Sequence, residues 1–88
     1  MARMNRDPRA NVLDNRRLVE SRLGTVVRGN RATLAAAAEN DHLSGAVRAD
    51  LAWMADMVTQ IERGATPTDQ DAVAFGRAAD RVLGALDS

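Results

Sequence analysis

Large apolar residues recur at three- and four-residue intervals along most of the chain. The clearest run is Val47, Leu51, Met54, Val58 and Ile61, spaced 4, 3, 4 and 3. That is the stripe of a helix–helix seam. Trp53 and Met57 widen it on one side, while Arg48, Asp50, Asp56, Glu62 and Arg63 take the wetter faces. Gly64 suits the position just past a helix end. Upstream, Val12, Val19, Leu23 and Val26 form a second stripe, flanked by Leu13, Leu18 and Val27 and interrupted by Arg16. Asp7-Pro8 is a helix start, with Asp as cap and Pro at the first helical position. Gly24 falls inside this helix at a cost of about 1 kcal/mol relative to Ala, and Gly29-Asn30 is a stop signal. Downstream, a last helix is expected to reach about Leu86, with Val73, Phe75, Ala79, Val82, Leu83 and Leu86 inward. It is entered either by Thr66 before Pro67, or by Thr68 with Asp71 at capping-box spacing. Asp69 and Asp71 in its first turn suit the helix dipole. Gly76 and Ala79 allow a neighbour to come close.

Between the first two stripes lies an Ala-rich segment, Arg31 to Asn40. Propensity alone makes it helical. Leu34 is its one large apolar residue, so its small side chains serve close approach of another helix. Asn40-Asp41-His42, reinforced by Ser44-Gly45, reads as a break. No alternating strand pattern and no repeat is present. The expected fold is all-α: a small antiparallel bundle of three main helices plus a short Ala-rich helix. It forms a single domain over residues 8–88, after a disordered arm at 1–7. A chain of 88 residues has one thin core, so self-association or a partner is a natural source of further burial.

Composition narrows the chemistry. There are no cysteines, one histidine and two aromatics, Trp53 and Phe75. Zinc fingers, thiol chemistry and RRM-type stacking platforms are therefore excluded. No apolar run approaches the roughly 20 residues of a membrane span; the expected compartment is the cytoplasm. All 12 basic residues are Arg, and Ala is abundant, a usage typical of GC-rich bacterial genomes and their phages. The net charge is zero, but unevenly laid out. Residues 1–31 hold eight Arg against three acids, and residues 32–88 hold four Arg against nine. The structural explanation is that the halves pack side by side and neutralise each other. The functional one is an anion-binding first helix, for which the candidates are Arg9, Arg16, Arg17, Arg28 and Arg31.

Catalytic chemistry finds little support. Asp41-His42 lacks a Ser, Cys or second ligand at a useful spacing, and polar break residues explain it. Asp69, Asp71 and Asp80 do not have the spacing of a calcium loop, and capping explains the first two. Gly24-x4-Gly29 is followed by Asn30-Arg31, so it is not a P-loop. No catalytic residue, metal site or cofactor is expected. Trp53 and Met57 on a helix edge, beside Asp50 and Asp56, are the candidates for a protein interface.

Residues 50–88 carry one further pattern: Leu51-Ala52-Trp53-Met54, then Met57-Val58, an Asp-containing turn, Val73-Ala74-Phe75-Gly76 and Ala79-Asp80-Arg81. This resembles the small helical immunity proteins that accompany type VI secretion toxins. The turn is slightly longer here, and Val82 stands where that pattern has an acid. The resemblance implies a protein that binds and blocks a toxin without catalysis. It assigns no binding residue. The leading expectation is thus a non-enzymatic helical protein that binds and inhibits a protein partner, of the toxin-immunity or phage anti-defence type. The alternatives are an Arg-driven nucleic-acid binder and a structural homodimer joined at the 47–61 stripe.

Overall fold

The computed structural model describes residues 7–26, 33–40 and 43–87, the side chains of Thr25 and Val26 excepted. Four helices follow in order: α1 (Pro8–Val26), α2 (Leu34–Ala37), α3 (Gly45–Glu62) and α4 (Asp69–Leu86). No strand occurs among the described residues. The chain is an all-α globule in which three main helices and one short helix share a core. Its radius of gyration is 12.1 Å, against about 12 Å for a folded chain of this length.

Local chemistry starts and stops these helices. Asp7 caps α1: its Oδ1 accepts the Arg9 N–H at 3.0 Å. Residues 1–6, the rest of the expected arm, lie outside the described residues, as do Val27 and Gly29-Asn30. Ser44 caps α3, accepting from the Val47 N–H at 3.2 Å. Of the two starts open for α4, the structure uses Thr68. Its hydroxyl accepts from the Asp71 N–H at 3.1 Å, and the Asp71 carboxylate accepts the Thr68 N–H at 3.0 Å. Two orphan donors are thereby satisfied at once. Gly64 ends α3 with φ of 103°, a backbone region that Gly enters without steric cost.

The Ala-rich segment forms less helix than its propensity suggests. The expected span 31–40 contracts to one turn, Leu34–Ala37; Arg31 and Ala32 are not described. Its start is set from outside. Thr33 accepts from the Ala36 N–H, and the Glu20 carboxylate of α1 accepts the Leu34 N–H at 3.2 Å. Leu34 and Ala37 are buried and pin the turn against the bundle.

The 4-3-4-3 stripe is the inner face of α3: Val47, Leu51, Met54, Val58 and Ile61 are all buried. In α1, Val12, Val19 and Leu23 are fully buried, and so is Asn15, which falls in the gap of the apolar stripe. Helix α4 presents Ala72, Phe75, Gly76, Ala78, Ala79 and Val82. Small residues on this face let α4 lie closely against α1. Leu83 and Leu86 are half-buried at the core's edge. Val73 is not inward as expected but 37% exposed. At 100° per residue Val73 lies about 160° around the helix from Phe75, and the small-residue face took the inner side.

Helices α3 and α4 form an antiparallel hairpin. Asp50 near the start of α3 meets Arg81 near the end of α4, through Nη2 to Oδ1 at 2.9 Å and Nε to Oδ2 at 3.0 Å. The charge halves also meet. Arg16 of α1 pairs with Glu20 at 3.3 Å and reaches Glu62 of α3 at 3.9 Å, and Arg22 pairs with Asp87 beyond α4. The basic first helix is thus partly neutralised by the acidic second half.

Candidate functional site

The outer face of the α3/α4 hairpin carries two adjoining grooves. The first, of about 390 Å³, is walled by Asp50 and Trp53 from α3 and by Ala74, Arg77 and Arg81 from α4. The second, of about 360 Å³, is lined by Asp69, Gln70, Val73, Ala74 and Arg77. Ala74 and Arg77 belong to both, so the grooves form one continuous surface. Helical geometry explains the set. Val73, Arg77 and Arg81 stand four apart on α4, along the side away from the buried row Ala72–Phe75–Ala79–Val82. On α3, Asp50 and Trp53 stand three apart beside the buried stripe.

Trp53 walls the first groove. It is 42% exposed, and with Val73 it makes up the exposed large hydrophobics of the described residues. Its ring centroid lies 6.3 Å from that of Phe75, tilted by 39°. The indole therefore leans on the core with one part and lines the groove with another. Val73, the other exposed large hydrophobic, lines the second groove.

The groove's charged groups differ in how they are held. Arg81 is fixed to Asp50 by two parallel bonds, the strong geometry for guanidinium and carboxylate. The hydrogen bond to Asp50 raises the Arg81 pKa further, with the carboxylate's charge adding to it and desolvation opposing it; the guanidinium is permanently charged. Arg77 is exposed and enters no ion pair among the described residues. Asp69, at the far end, stands in the first turn of α4, where the helix dipole suits a carboxylate.

The sequence candidates separate on this map. Trp53 and Asp50 lie together in the groove. Met57 is half-buried and packs on the core. Asp56 is exposed and accepts from the Gln60 side chain at 2.9 Å. Of the arginines, Arg16 is held by Glu20 and Glu62, and Arg17 borders a surface groove with Leu13, Arg16 and Glu20. Arg9 is exposed at the start of α1. Arg28 and Arg31 lie outside the described residues, as do Asp41 and His42. The α4 half of the site (Val73, Ala74, Arg77 and Arg81) was missed in the sequence. Its signal was present: the 73–77–81 row has helical spacing but runs out of phase with the Phe75–Ala79–Val82 row.

Among the described residues no three His, Asp or Glu side chains gather as a metal-holding group. No described helix is long and apolar enough to cross a membrane. No family model, curated protein or solved structure matches the chain.

Proposed function

We propose that this chain is a non-enzymatic binding protein that captures and inhibits a protein partner through the outer face of the α3/α4 hairpin. The observation that carries the reading is that the exposed large hydrophobics of the described residues, Trp53 and Val73, line two adjoining grooves joined through Ala74 and Arg77, with Arg81 and Asp50 at one end. An aromatic anchor within a charged rim is the usual energetic centre of a protein interface. The groove's hydrogen-bonded polar pair, Asp50 and Arg81, satisfies itself, which suits a rim contact better than proton transfer. The likeness of residues 50–88 to type VI immunity proteins points in the same direction. A phage inhibitor of a bacterial defence complex is the other setting with the same physics.

The nucleic-acid alternative is weakened by the ion pairs that occupy Arg16 and Arg22 and by the zero net charge, since phosphate binding needs an uncompensated basic footprint. A homodimer would have to use a face other than the 47–61 stripe, whose apolar residues are buried within one chain. Affinity capture from the source cell tests the proposal, with Val73→Asp and Arg17→Glu variants beside the unaltered chain. Val73 is exposed, so the first variant keeps the fold, checked by circular dichroism. The expected result is one protein held by the unaltered chain and by Arg17→Glu, lost at least about tenfold (roughly 1.4 kcal/mol) by Val73→Asp, and inhibited in its own activity when held. Capture indifferent to Val73→Asp, or a held protein whose activity is unchanged, overturns it.

A further inference from the structure

We infer that the partner's contact element is an acidic amphipathic segment, which sets an apolar side chain against Trp53 and Val73 and a carboxylate against Arg77. The inference rests on the α3/α4 face being the docking surface, and it deepens that reading by naming the chemistry of what docks.

The argument is one of charge complementarity. Two arginines border the groove, four residues apart on α4. Like charges at this spacing disfavour each other. Arg81 is relieved by the bidentate carboxylate of Asp50. Arg77 has no such partner among the described residues, yet it is the cation shared by both grooves. Asp69 has no ion pair among the described residues either, but it stands in the first turn of α4, where the helix dipole offsets its charge. The surface therefore holds two exposed apolar side chains and one uncompensated guanidinium between their grooves. A planar guanidinium is matched best by a carboxylate, through two parallel hydrogen bonds. A phosphate would match it as well. However, a nucleic acid presents a row of phosphates, whereas this face carries a single uncompensated cation, with Asp50 and Asp69 flanking it. One carboxylate next to one apolar side chain fits that layout. A helix supplies such a pair at three- or four-residue spacing.

The test uses the whole chain and a displayed library of random peptides of about 16 residues, which span roughly 24 Å when helical. Trp53 is the sole tryptophan, so its emission reports on the groove itself. The peptides recovered are expected to carry Asp or Glu within one helical turn of a large apolar residue, and to shift Trp53 emission to the blue. Arg77→Glu is expected to weaken them at least about tenfold (a factor of ten being roughly 1.4 kcal/mol), with Arg77→Gln intermediate and Arg17→Glu without effect. Circular dichroism checks that each variant is folded. Peptides that shift Trp53 but lack an acid, or that ignore Arg77→Glu, overturn the acidic segment and leave the docking face standing. Peptides that bind without moving Trp53 emission, or a library that yields none, overturn both. Quenching of Trp53 by single-stranded oligodeoxythymidine at lower concentration than any peptide replaces the inference with nucleic-acid binding.

Discussion

Phe75 is the largest fully buried side chain among the described residues, and Trp53 rests against it. Two effects therefore follow from one ring. Phe75→Ala should destabilise by about 3–5 kcal/mol, a large share of the roughly 5–15 kcal/mol of a typical domain. Phe75→Leu keeps most of the volume but ends the aromatic contact, worth about 0.5–1.5 kcal/mol. Urea unfolding measures both losses, and the Leu variant should also move Trp53 emission to the red as the indole loses its support. Unchanged emission would mean that Phe75 does not position Trp53. At this scale the sequence was readable where hydrophobic identity and helical phase agreed, as for Leu51, Met54 and Phe75. It misled where they disagreed. Val73 is as apolar as Val82, yet Ala72, Gly76, Ala78 and Ala79 hold the inner side of α4 because their small side chains admit α1 closely. Asn15 is the converse: a polar residue fully buried, at a position that only the phase of Val12, Val19 and Leu23 marks as inward.

The helices are delimited by side chains that a local reading can find. Gly64 was legible, and Thr68 with Asp71 was one of two legible starts for α4, because a cap acts within one turn of the chain. Thr68→Ala should remove the capping box and cost about 1 kcal/mol, which lowers the melting temperature by roughly 4–8 °C in a domain of this size. Thermal unfolding followed at 222 nm would show it, with no loss of helicity at low temperature. A variant that melts like the unaltered chain would show that tertiary packing alone starts α4. Helix α2 is the opposite case. Alanine propensity suggests ten residues of helix, but short helices are marginal without packing. Its one turn is held by Thr33 and by Glu20 of another helix, a contact 14 residues away in sequence that no local pattern contains.

Across the whole molecule, charge links elements that the sequence keeps apart. Arg16 and Arg22 of the basic first half reach Glu62 and Asp87 of the acidic second half, and Arg81 reaches back to Asp50 within the second half. These pairs are largely exposed, so each contributes little. Asp50→Ala should cost no more than about 1 kcal/mol, and the difference from the unaltered chain should shrink as salt rises; a loss indifferent to salt would point to packing instead. The α3 side of the candidate site, Trp53 and Asp50, is legible in the sequence. The α4 side, Val73, Ala74, Arg77 and Arg81, joins it only because α4 folds back along α3. By itself the sequence determined the all-helical class, the inner stripe of α3, the Asp7 start of α1 and the Gly64 end of α3, because these depend on the helical period and on hydrogen bonds within a turn. Only the tertiary structure decided which side of α4 faces inward, how far the Ala-rich turn extends and which charges meet. Those outcomes depend on how closely two helix surfaces can approach, a property of pairs of elements and not of either one's sequence.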